Sequence, residues 1–254
     1  MKFSLNLNKI ALLRNARGEN NPSLEDYAHK AIDLGVDGLT LHPRPDHRHA
    51  TSNDVISLGR ICKDRDVEFN IEGNPFSEPS ELFKGYVNLV DICQPDQATL
   101  VPDLPNQITS DHGWESGDHD DDLSNVIANI NNLCKKTSIS LFVDNLKIKN
   151  TNLDSIDYAL KVRANTIEIH TGEFSKQIDN HDFEINDHLK ELIYKAKDKN
   201  LLVNAGHDLN LINLPHLVKI GGVNEVSIGH AIVVDALNYG FEDTIKRYIE
   251  VIKG

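Results

Sequence analysis

The chain has 254 residues, of which 39% are hydrophobic, and a formal net charge of −13 at pH 7. A chain of this length can bury a full core, and its excess of acidic side chains excludes a general nucleic-acid or anionic-membrane surface, which needs clustered Lys and Arg. Any anionic ligand must therefore be bound locally.

The amino-terminal segment and the cysteines exclude further classes. Residues 1–18 contain no sustained apolar run and no small-residue cleavage site, so the sequence predicts neither a signal peptide nor a membrane span. Cys62, Cys93 and Cys134 are odd in number and lie far apart, so they indicate neither a disulfide framework nor a zinc site. A cytoplasmic location is the default expectation.

Short apolar runs alternate with helical periodicities at a spacing of roughly 30 residues, the length of a strand with its crossover helix. Eight such runs predict a (β/α)₈ TIM barrel, and no linker divides the chain, so residues 1–254 are predicted to form a single domain. The predicted strands are residues 3–7, 38–41, 67–71, 98–101, 138–143, 166–169, 201–203 and 225–228.

Several of the predicted helices have recognisable start signals. Each begins after a Ser or Thr that is followed three residues later by an Asp, which is the spacing of a capping box. The pairs are Ser23 with Asp26, Thr51 with Asp54, and Thr151 with Asp154.

Residues 102–122 form a polar segment that is longer than a usual loop between a strand and a helix. Loops of this length in compact domains are often lids. Within the segment, His119 to Asp122 reads HDDD, which resembles a metal-ligand set. The favoured interpretation is structural, because acidic residues at the start of a helix interact well with the positive end of its dipole.

Polar residues follow nearly every predicted strand. In a barrel of this kind, the carboxyl ends of the strands surround the active site. One His can be an ordinary hydrogen-bonded core residue, but four that close different strands indicate a functional cluster. The strand-end residues are Asn6, Asn8, Lys9, His42, Arg44, Glu72, Asp103, Glu168, His170, Asn204, His207, Gly229 and His230.

Period-two alternation in residues 166–170 predicts that Glu168 and His170 face the barrel interior while the two Ile residues between them pack against helices. Glu168 could form a structural ion pair there. Alternatively, a carboxylate in a water-poor site has a raised pKa and can transfer protons near neutrality, and Glu72 is an equal candidate.

Two basic clusters predict two places for anionic groups. Residues 227–231 place Gly229 and a predicted helix start directly after the last strand, the usual phosphate position in this fold. Arg17 and Arg44 carry guanidinium groups suited to phosphate, and His49 adds a donor. Arg17 has surface charge as its alternative interpretation. Lys9 is the one strand-end lysine, and phosphate contact is a simpler use for it than a Schiff base.

With these residues identified, the chain resembles the pyridoxine 5′-phosphate synthase family over nearly its whole length. The resemblance rests on long, ordered motifs. They are residues 6–18 (NLNKIALLRNARG), HPRPDHRH from His42, NIEGNP from Asn70, TLVPD from Thr99, IEIHTG from Ile167, VNAGHDLN from Val203 and SIGHA from Ser227.

The resemblance implies a (β/α)₈ barrel with additional helices, assembled as a homo-octamer. It also implies a transferase that joins 1-deoxy-D-xylulose 5-phosphate and 3-amino-2-oxopropyl phosphate into pyridoxine 5′-phosphate, with release of phosphate and water. Neither a metal nor an organic cofactor is expected, and neither a nucleic acid nor a membrane is an expected partner.

The resemblance also implies a role for each matching position. His42 and Glu72 would accept protons, His207 would donate one, and Glu168 would stabilise the transition state. The positions for the deoxyxylulose phosphate are Asn8, Lys9, Arg44, His49 and Thr109, and those for the aminoketone phosphate are Asn6, Arg17, Asp208, Gly229 and His230. This chain departs from the family pattern in two places, because many members have Asp-His at Asn8-Lys9 and Gly at Asp208.

Two alternatives use the same residues differently. A metal-dependent sugar isomerase or epimerase on a barrel would use Glu72, Glu168, His170 and His207 as ligands, and bound metal needed for activity would identify it. A non-catalytic sensor of phosphorylated metabolites would bind the same ligands without releasing phosphate.

Overall fold

The computed structural model describes residues 1–104, 107–115, 119–134, 138–143 and 154–254. Over these residues, parallel strands form a closed barrel in chain order, which confirms the predicted (β/α)₈ fold with additional helices. The strands β1 to β8 are Lys2–Asn6, Gly38–Leu41, Glu68–Gly73, Gln97–Leu100, Ser138–Val143, Thr166–His170, Leu202–Gly206 and Glu225–Ile228. The helices α1 to α11 are Asn8–Arg17, Leu24–Leu34, Ser52–Arg65, Tyr86–Cys93, Asp120–Leu133, Asp154–Lys161, Gly172–Asp179, Ile185–Asp198, Leu214–Ile220, His230–Tyr239 and Phe241–Lys253.

The two faces of the barrel strands differ in polarity. Leu5 pairs with Leu39, and Leu39 in turn pairs with Phe69, in an apolar set that packs into the hydrophobic core. The alternating positions that face the interior are buried and largely polar, and they bond to each other across neighbouring strands. Ser4 Oγ, for example, lies 2.7 Å from Thr40 Oγ1. The barrel interior therefore lacks the branched apolar filling common in this fold.

Two of the predicted capping signals are present in the structure. The Ser23 side chain caps α2 by accepting a hydrogen bond from the Asp26 N–H at 3.1 Å. Thr51 and Asp54 form a complete capping box at the start of α3. The third predicted signal, at Thr151, lies outside the described residues.

Three helices begin only two residues after a strand ends, and in each case a second helix precedes the next strand or ends the chain. They are α1 after β1, α7 after β6 and α10 after β8. This short spacing brings the positive ends of these helices to the carboxyl end of the barrel, where unpaired backbone N–H groups attract anions.

Trp114 anchors the segment after β4 to the barrel. Its backbone N–H donates to Phe142 O at 2.8 Å, and its indole Nε1 donates to Leu100 O at 2.9 Å, so the side chain is buried between the ends of β4 and β5. The acidic residues of the HDDD sequence occupy the first turn of α5, as the helix-dipole interpretation expects. Of the helices in the described ranges, none is long and apolar enough to cross a membrane.

Candidate active site

A cavity of about 120 Å³ opens at the carboxyl end of the barrel. Its walls come from strand ends, from the first turns of α1 and α10, and from the segment that follows β4. The predicted site residues that line it are Asn6, Asn8, Lys9, Arg44, His49, Glu72, Thr109, Glu168, His207, Asp208, Gly229 and His230.

His42 and Arg17 are the predicted site residues that do not line this cavity. His42 lines a neighbouring cavity of about 340 Å³, yet its Nδ1 atom lies 3.5 Å from Glu72 Oε2. The His42 ring therefore stands in the wall between the two cavities. Arg17 is exposed in the last turn of α1, roughly 14 Å along the helix from Asn8.

The His42 ring is buried between two carboxylates. Its Nε2 atom is 2.7 Å from Asp103 Oδ2, on the side away from Glu72. Burial on its own would lower the pKa of His42, but the two carboxylates outweigh that effect and raise it. His42 is therefore the most basic of the buried imidazoles whose pKa the surroundings shift.

Glu72 is held by polar groups from two other strands. Asn6 Nδ2 of β1 donates to its Oε2 at 3.4 Å, and Ser227 Oγ of β8 donates to its Oε1 at 3.3 Å. Asn6 also accepts a hydrogen bond from the Asn8 N–H at 3.0 Å, which fixes the turn between β1 and α1. The position of this carboxylate thus depends on contacts that reach β3 from β1 and β8.

Glu168 is buried in the interior, as the alternation predicts, and it has no basic side chain as a described hydrogen-bond or ion-pair partner. Its Oε2 accepts a hydrogen bond from Thr99 Oγ1 at 3.4 Å. Burial raises the pKa of Glu168 well above its ordinary value, and the nearby Glu72 raises it further. A side chain on Gly206 would come within 2.6 Å of Glu168 Oε1, so the glycine leaves room for a neutral carboxylic acid.

The imidazole of His207 packs against other rings. Its centroid is 4.8 Å from that of His170 and 5.0 Å from that of Phe142. Burial lowers the pKa of His207 to about 3, and the neighbouring His170 contributes in the same direction. The His207 imidazole is therefore neutral at neutral pH.

The turn that carries His207 has an unusual backbone. His207 and Asp208 have positive φ angles of 84° and 55°, a region that side chains other than glycine rarely adopt. The buried hydroxyl of Thr171 lies 2.6 and 2.5 Å from the carbonyl oxygens of Gly206 and His207, and its one hydrogen is shared between them. Thr171, from the end of β6, therefore holds this turn in place.

One end of the cavity is formed by the first turn of α10. Gly229 approaches the backbone of β1 so closely that a Cβ atom there would lie 2.7 Å from Asn6 O. The first N–H groups of a helix have no intrahelical acceptor, and Gly229, His230 and Ala231, at the start of this one, line the cavity. This arrangement suits an anionic group such as phosphate.

A second basic region lies at Arg44 and His49. Arg44 Nη1 donates to Gln107 O at 3.1 Å and its Nη2 is 2.9 Å from Asp103 Oδ2. Arg44 Nε and His49 Nδ1 are buried and lack a hydrogen-bond partner within the described part of the chain. Together with Lys9 at the start of α1, they offer a second place for an anion.

The site does not have the geometry of a metal centre. In the described ranges, no three His, Cys, Asp or Glu side chains converge in a way that could hold a metal ion. This holds for Glu72, Glu168, His170 and His207, the set that the metal-dependent alternative requires. The arrangement therefore does not favour that alternative.

Sequence reasoning missed the roles of several residues in this site. Asp103 was recognised as a strand-end residue but was not connected with His42, from which it is 61 positions distant along the chain. Thr171 and Ser227 belong to the quoted motifs IEIHTG and SIGHA, next to residues that were singled out. Their place in these motifs was the available sign of a role. Their contacts with other site residues could not be predicted, because those contacts depend on how distant strands pair.

Comparison with known proteins identifies relatives over the full chain. A family described as "Pyridoxal phosphate biosynthesis protein PdxJ" matches residues 3–254. A Cytophaga hutchinsonii protein named pyridoxine 5′-phosphate synthase is 41% identical over 256 residues, which is 99% of each chain. A protein of the same name from Xanthomonas oryzae pv. oryzae is 38% identical and covers 100% of this chain and 97% of its own.

At low sequence identity, solved structures share the fold of this chain. A tryptophan synthase structure from Mycobacterium tuberculosis superposes with a TM-score of 0.62 at 8% sequence identity, covering 99% of this chain and 92% of the other. At this identity, the superposition indicates a shared barrel and nothing about chemistry.

Proposed function

Because the chain belongs to the PdxJ family of pyridoxal phosphate biosynthesis proteins, we propose that it is a pyridoxine 5′-phosphate synthase. It joins 1-deoxy-D-xylulose 5-phosphate to 3-amino-2-oxopropyl phosphate and releases phosphate and water. The observation that carries the proposal is the convergence of His42, Glu72, Glu168 and His207 at one end of the barrel, between two places suited to anions.

The two anion-binding places match the two phosphorylated substrates. The first turn of α10, with Gly229 and His230, holds the phosphate of the aminoketone, and Asn6 and Asp208 lie beside it. Arg44, His49 and Lys9 hold the deoxyxylulose phosphate, with Asn8 and Thr109 in the same wall. Fixing both phosphates brings the reacting carbonyl and amine together, which is itself a large part of catalysis. Arg17, exposed on α1, has no place in this arrangement of a single chain.

The chemistry requires proton transfers more than it requires a nucleophile. The amine belongs to the substrate, so imine formation needs no lysine from the protein. A substrate ammonium must first lose a proton, and the imidazole of His207 can take it up because burial keeps the ring neutral. The negative charge of the two bound phosphates favours this transfer, since it raises the pKa of the ring. The imidazolium that forms then donates a proton to a leaving oxygen, which is the donor role assigned to His207.

Glu168 serves as a neutral acid in the same site. Its raised pKa keeps a proton on the carboxyl group, and a protonated carboxyl group donates a hydrogen bond where an ionised one only accepts. A donor held in a buried position stabilises negative charge that develops on a substrate oxygen. This is the transition-state role that the family resemblance assigns to this position.

His42 and Glu72 accept protons during dehydration and ring closure. Glu72 lines the cavity directly, and His42 Nδ1 lies 3.5 Å behind it. A proton removed from a substrate carbon by one of these groups can therefore be passed to the other. Each such group typically contributes a factor of about 10² to 10⁴ to the rate.

Several finer statements belong to the same proposal. The reaction classes the protein as a transferase that needs neither metal nor cofactor, working in the cytoplasm as one barrel domain per chain. We also propose a homo-oligomer, an octamer by family resemblance. Exposed apolar side chains on α1 and α10 support an assembly, and these are Leu12, Leu13, Val234, Leu237 and Tyr239.

The proposal is tested by incubating the purified protein with both substrates in the presence of a chelator and identifying the product by mass spectrometry. The wild-type protein is expected to form pyridoxine 5′-phosphate. His207→Asn is expected to retain the fold and lose product formation. His216→Asn, on α9 and outside the cavity, is the matched control and should retain activity.

The alternatives give different results in the same assay. Activity that appears only with an added divalent metal would favour the isomerase or epimerase class. Saturable binding of the substrates without phosphate release would indicate a sensor. Near-normal turnover by His207→Asn would contradict the role of His207 while leaving the overall reaction in place.

A further inference from the structure

Asp103 lies directly beyond β4, and its carboxylate joins two parts of the site. One oxygen, Oδ2, is 2.7 Å from His42 Nε2 and 2.9 Å from Arg44 Nη2. The side chain is 8% exposed and lines the neighbouring cavity rather than the one between the two phosphate positions. Asp103 therefore touches a proton-transfer residue and a phosphate-binding residue without facing the substrates.

We propose that Asp103 is a positioning residue that orients the His42 ring for proton transfer and holds the Arg44 guanidinium in place beside it. This inference rests on the proposed function of the same site, which it deepens by assigning the group that controls His42. Asp103 acts through His42 and Arg44, and it exchanges no proton with the substrates.

The chemistry of the contact determines which nitrogen of His42 is reactive. An ionised carboxylate can only accept hydrogen bonds, so the nitrogen that faces Asp103 carries a hydrogen. Burial opposes ionisation of Asp103, but His42 and Arg44 outweigh it, so the pKa of Asp103 lies well below its ordinary value. With Nε2 occupied, Nδ1 is the atom left to exchange a proton, and it faces Glu72.

The second contact connects the ring with the loop that follows β4. Arg44 binds this loop twice, through the Asp103 carboxylate and through the backbone oxygen of Gln107. Thr109, two residues further on, lines the cavity. The same carboxylate that orients His42 thus also fixes a loop residue expected to contact the sugar phosphate.

Other titratable and charged groups also surround the His42 ring, and they define what a change at Asp103 can do. Glu72 from β3 raises the pKa of His42 together with Asp103. His49 packs with its ring centroid 6.2 Å away. The charges of His42 and Arg44 each lower the pKa of His207, whereas the charge of Asp103 raises it, so the ring shifts of His42 separate its titration from that of His207. When the charge of Asp103 is removed, Glu72 is the remaining carboxylate beside the His42 ring among the described contacts.

The test compares Asp103→Asn with Asp103→Glu, which keeps the charge, and with Asp111→Asn, an exposed position in the same loop. Asp103→Asn is expected to lower kcat by about 10²-fold, as loss of a residue that orients a functional His commonly does. The pKa of His42 should fall, so the acidic limb of the kcat profile should move about one unit to lower pH. Asp103→Glu should recover most of the activity, and Asp111→Asn should match wild type.

A second readout does not depend on turnover. Nitrogen chemical shifts of the His42 ring, assigned by comparison with His42→Gln, report its tautomer and its titration in the substrate-free protein. Asp103→Asn should lose the Nε2-protonated form as the dominant neutral tautomer and titrate at lower pH. An unchanged tautomer and titration in Asp103→Asn would overturn the inference, and so would an unchanged pH profile.

The two readouts separate failure of this inference from failure of the proposed function. If the wild-type protein makes no product, the ring shifts still decide whether Asp103 orients His42. If Asp103→Asn does not fold, Asp103→Ser, which also removes the charge, takes its place. A pH profile shifted to lower pH in that variant supports the inference, and a profile identical to wild type contradicts it.

Discussion

The two ends of the barrel interior each contain a buried glutamate with a raised pKa, but the surroundings of the two glutamates differ. Glu168 lies at the carboxyl end, lines the cavity, and has Thr99 as its hydrogen-bond donor. Glu225, the first residue of β8, lies at the amino end, where it pairs in register with Lys2 of β1. Burial raises the pKa of Glu225 to about 8, and the adjacent Glu68 raises it as well.

The difference shows what distinguishes a functional carboxyl group from a structural one. At the amino end, Lys2 forms a solvent-exposed ion pair with Glu68, and Asp37 adds a further carboxylate near Glu225. At the carboxyl end, Glu168 shares the cavity with Glu72 and His207. A raised pKa alone therefore does not identify an active site, and access to a cavity with other proton-transfer groups does.

Replacing each glutamate by glutamine tests this comparison most strongly. Glu168→Gln should lower kcat by about 10² to 10⁴-fold because glutamine cannot supply the same acidic hydrogen. Its melting temperature should stay close to that of wild type, since burial already raises the pKa of the native side chain and so favours its neutral form. Glu225→Gln should retain wild-type kcat. Similar losses of kcat in both variants, measured by product formation, would remove the distinction between the two ends.

The pH dependence of stability gives the next largest effect. The pKa of Glu225 is about 8 in the folded protein and near 4.5 in the unfolded chain. The stabilisation that protonated Glu225 gives to the folded state is therefore fully present below pH 4.5 and is lost as the pH rises towards 8. Glu225→Gln removes this loss. Its free energy of unfolding in urea should exceed that of wild type by roughly 1–4 kcal/mol at pH 8.5, and by much less at pH 5.

The control for this prediction is Glu191→Gln, an exposed position on α8, which should show no such change between the two pH values. Equal pH dependence of the free energy of unfolding in wild type and Glu225→Gln would mean that Glu225, at the amino end of the barrel, does not bind a proton on folding.

The smallest expected effect concerns the turn that carries His207. Thr171→Val keeps the shape of the side chain but removes the hydroxyl that bonds to two backbone carbonyls. A buried hydrogen bond of this kind is worth about 1–3 kcal/mol, so kcat should fall about tenfold or more as His207 moves. Thr171→Ser keeps the hydroxyl and should behave like wild type. If Thr171→Val retained full activity, the turn would not depend on this contact.

The fold was largely predictable because the barrel repeats one pattern. The predicted bounds of β2, β5 and β8 agree with the structure. The largest error is at β7, predicted for residues 201–203 and observed at Leu202–Gly206. Asn204 and Gly206 interrupt the apolar run, yet both continue the ladder, with Asn204 paired to Glu168 and Gly206 to His170. When interior-facing residues are polar, the apolar run stops before the strand does, and a hydrophobicity pattern predicts the strand end too early.

The residues of the site were predictable in part. Strand-end position and alternation brought out Glu72, Glu168 and His207, which share the cavity. Contacts between distant segments were not predictable, because the spacing of Asp103 from His42 carries no signal until the register of the strands is known. Arg17, a basic residue in a matching motif, lies on the exposed face of α1 outside the cavity, and its substrate-binding role stays a prediction. The roles of these residues stay predictions until variants are measured.

The most direct test of the account follows inorganic phosphate and the absorbance of the pyridinol product together, with both substrates present and a chelator in place of added metal. The account predicts that the two signals rise in equal amounts and that both are lost when either substrate is omitted. Phosphate release without pyridinol formation, or no release at saturating levels of both substrates, would contradict it.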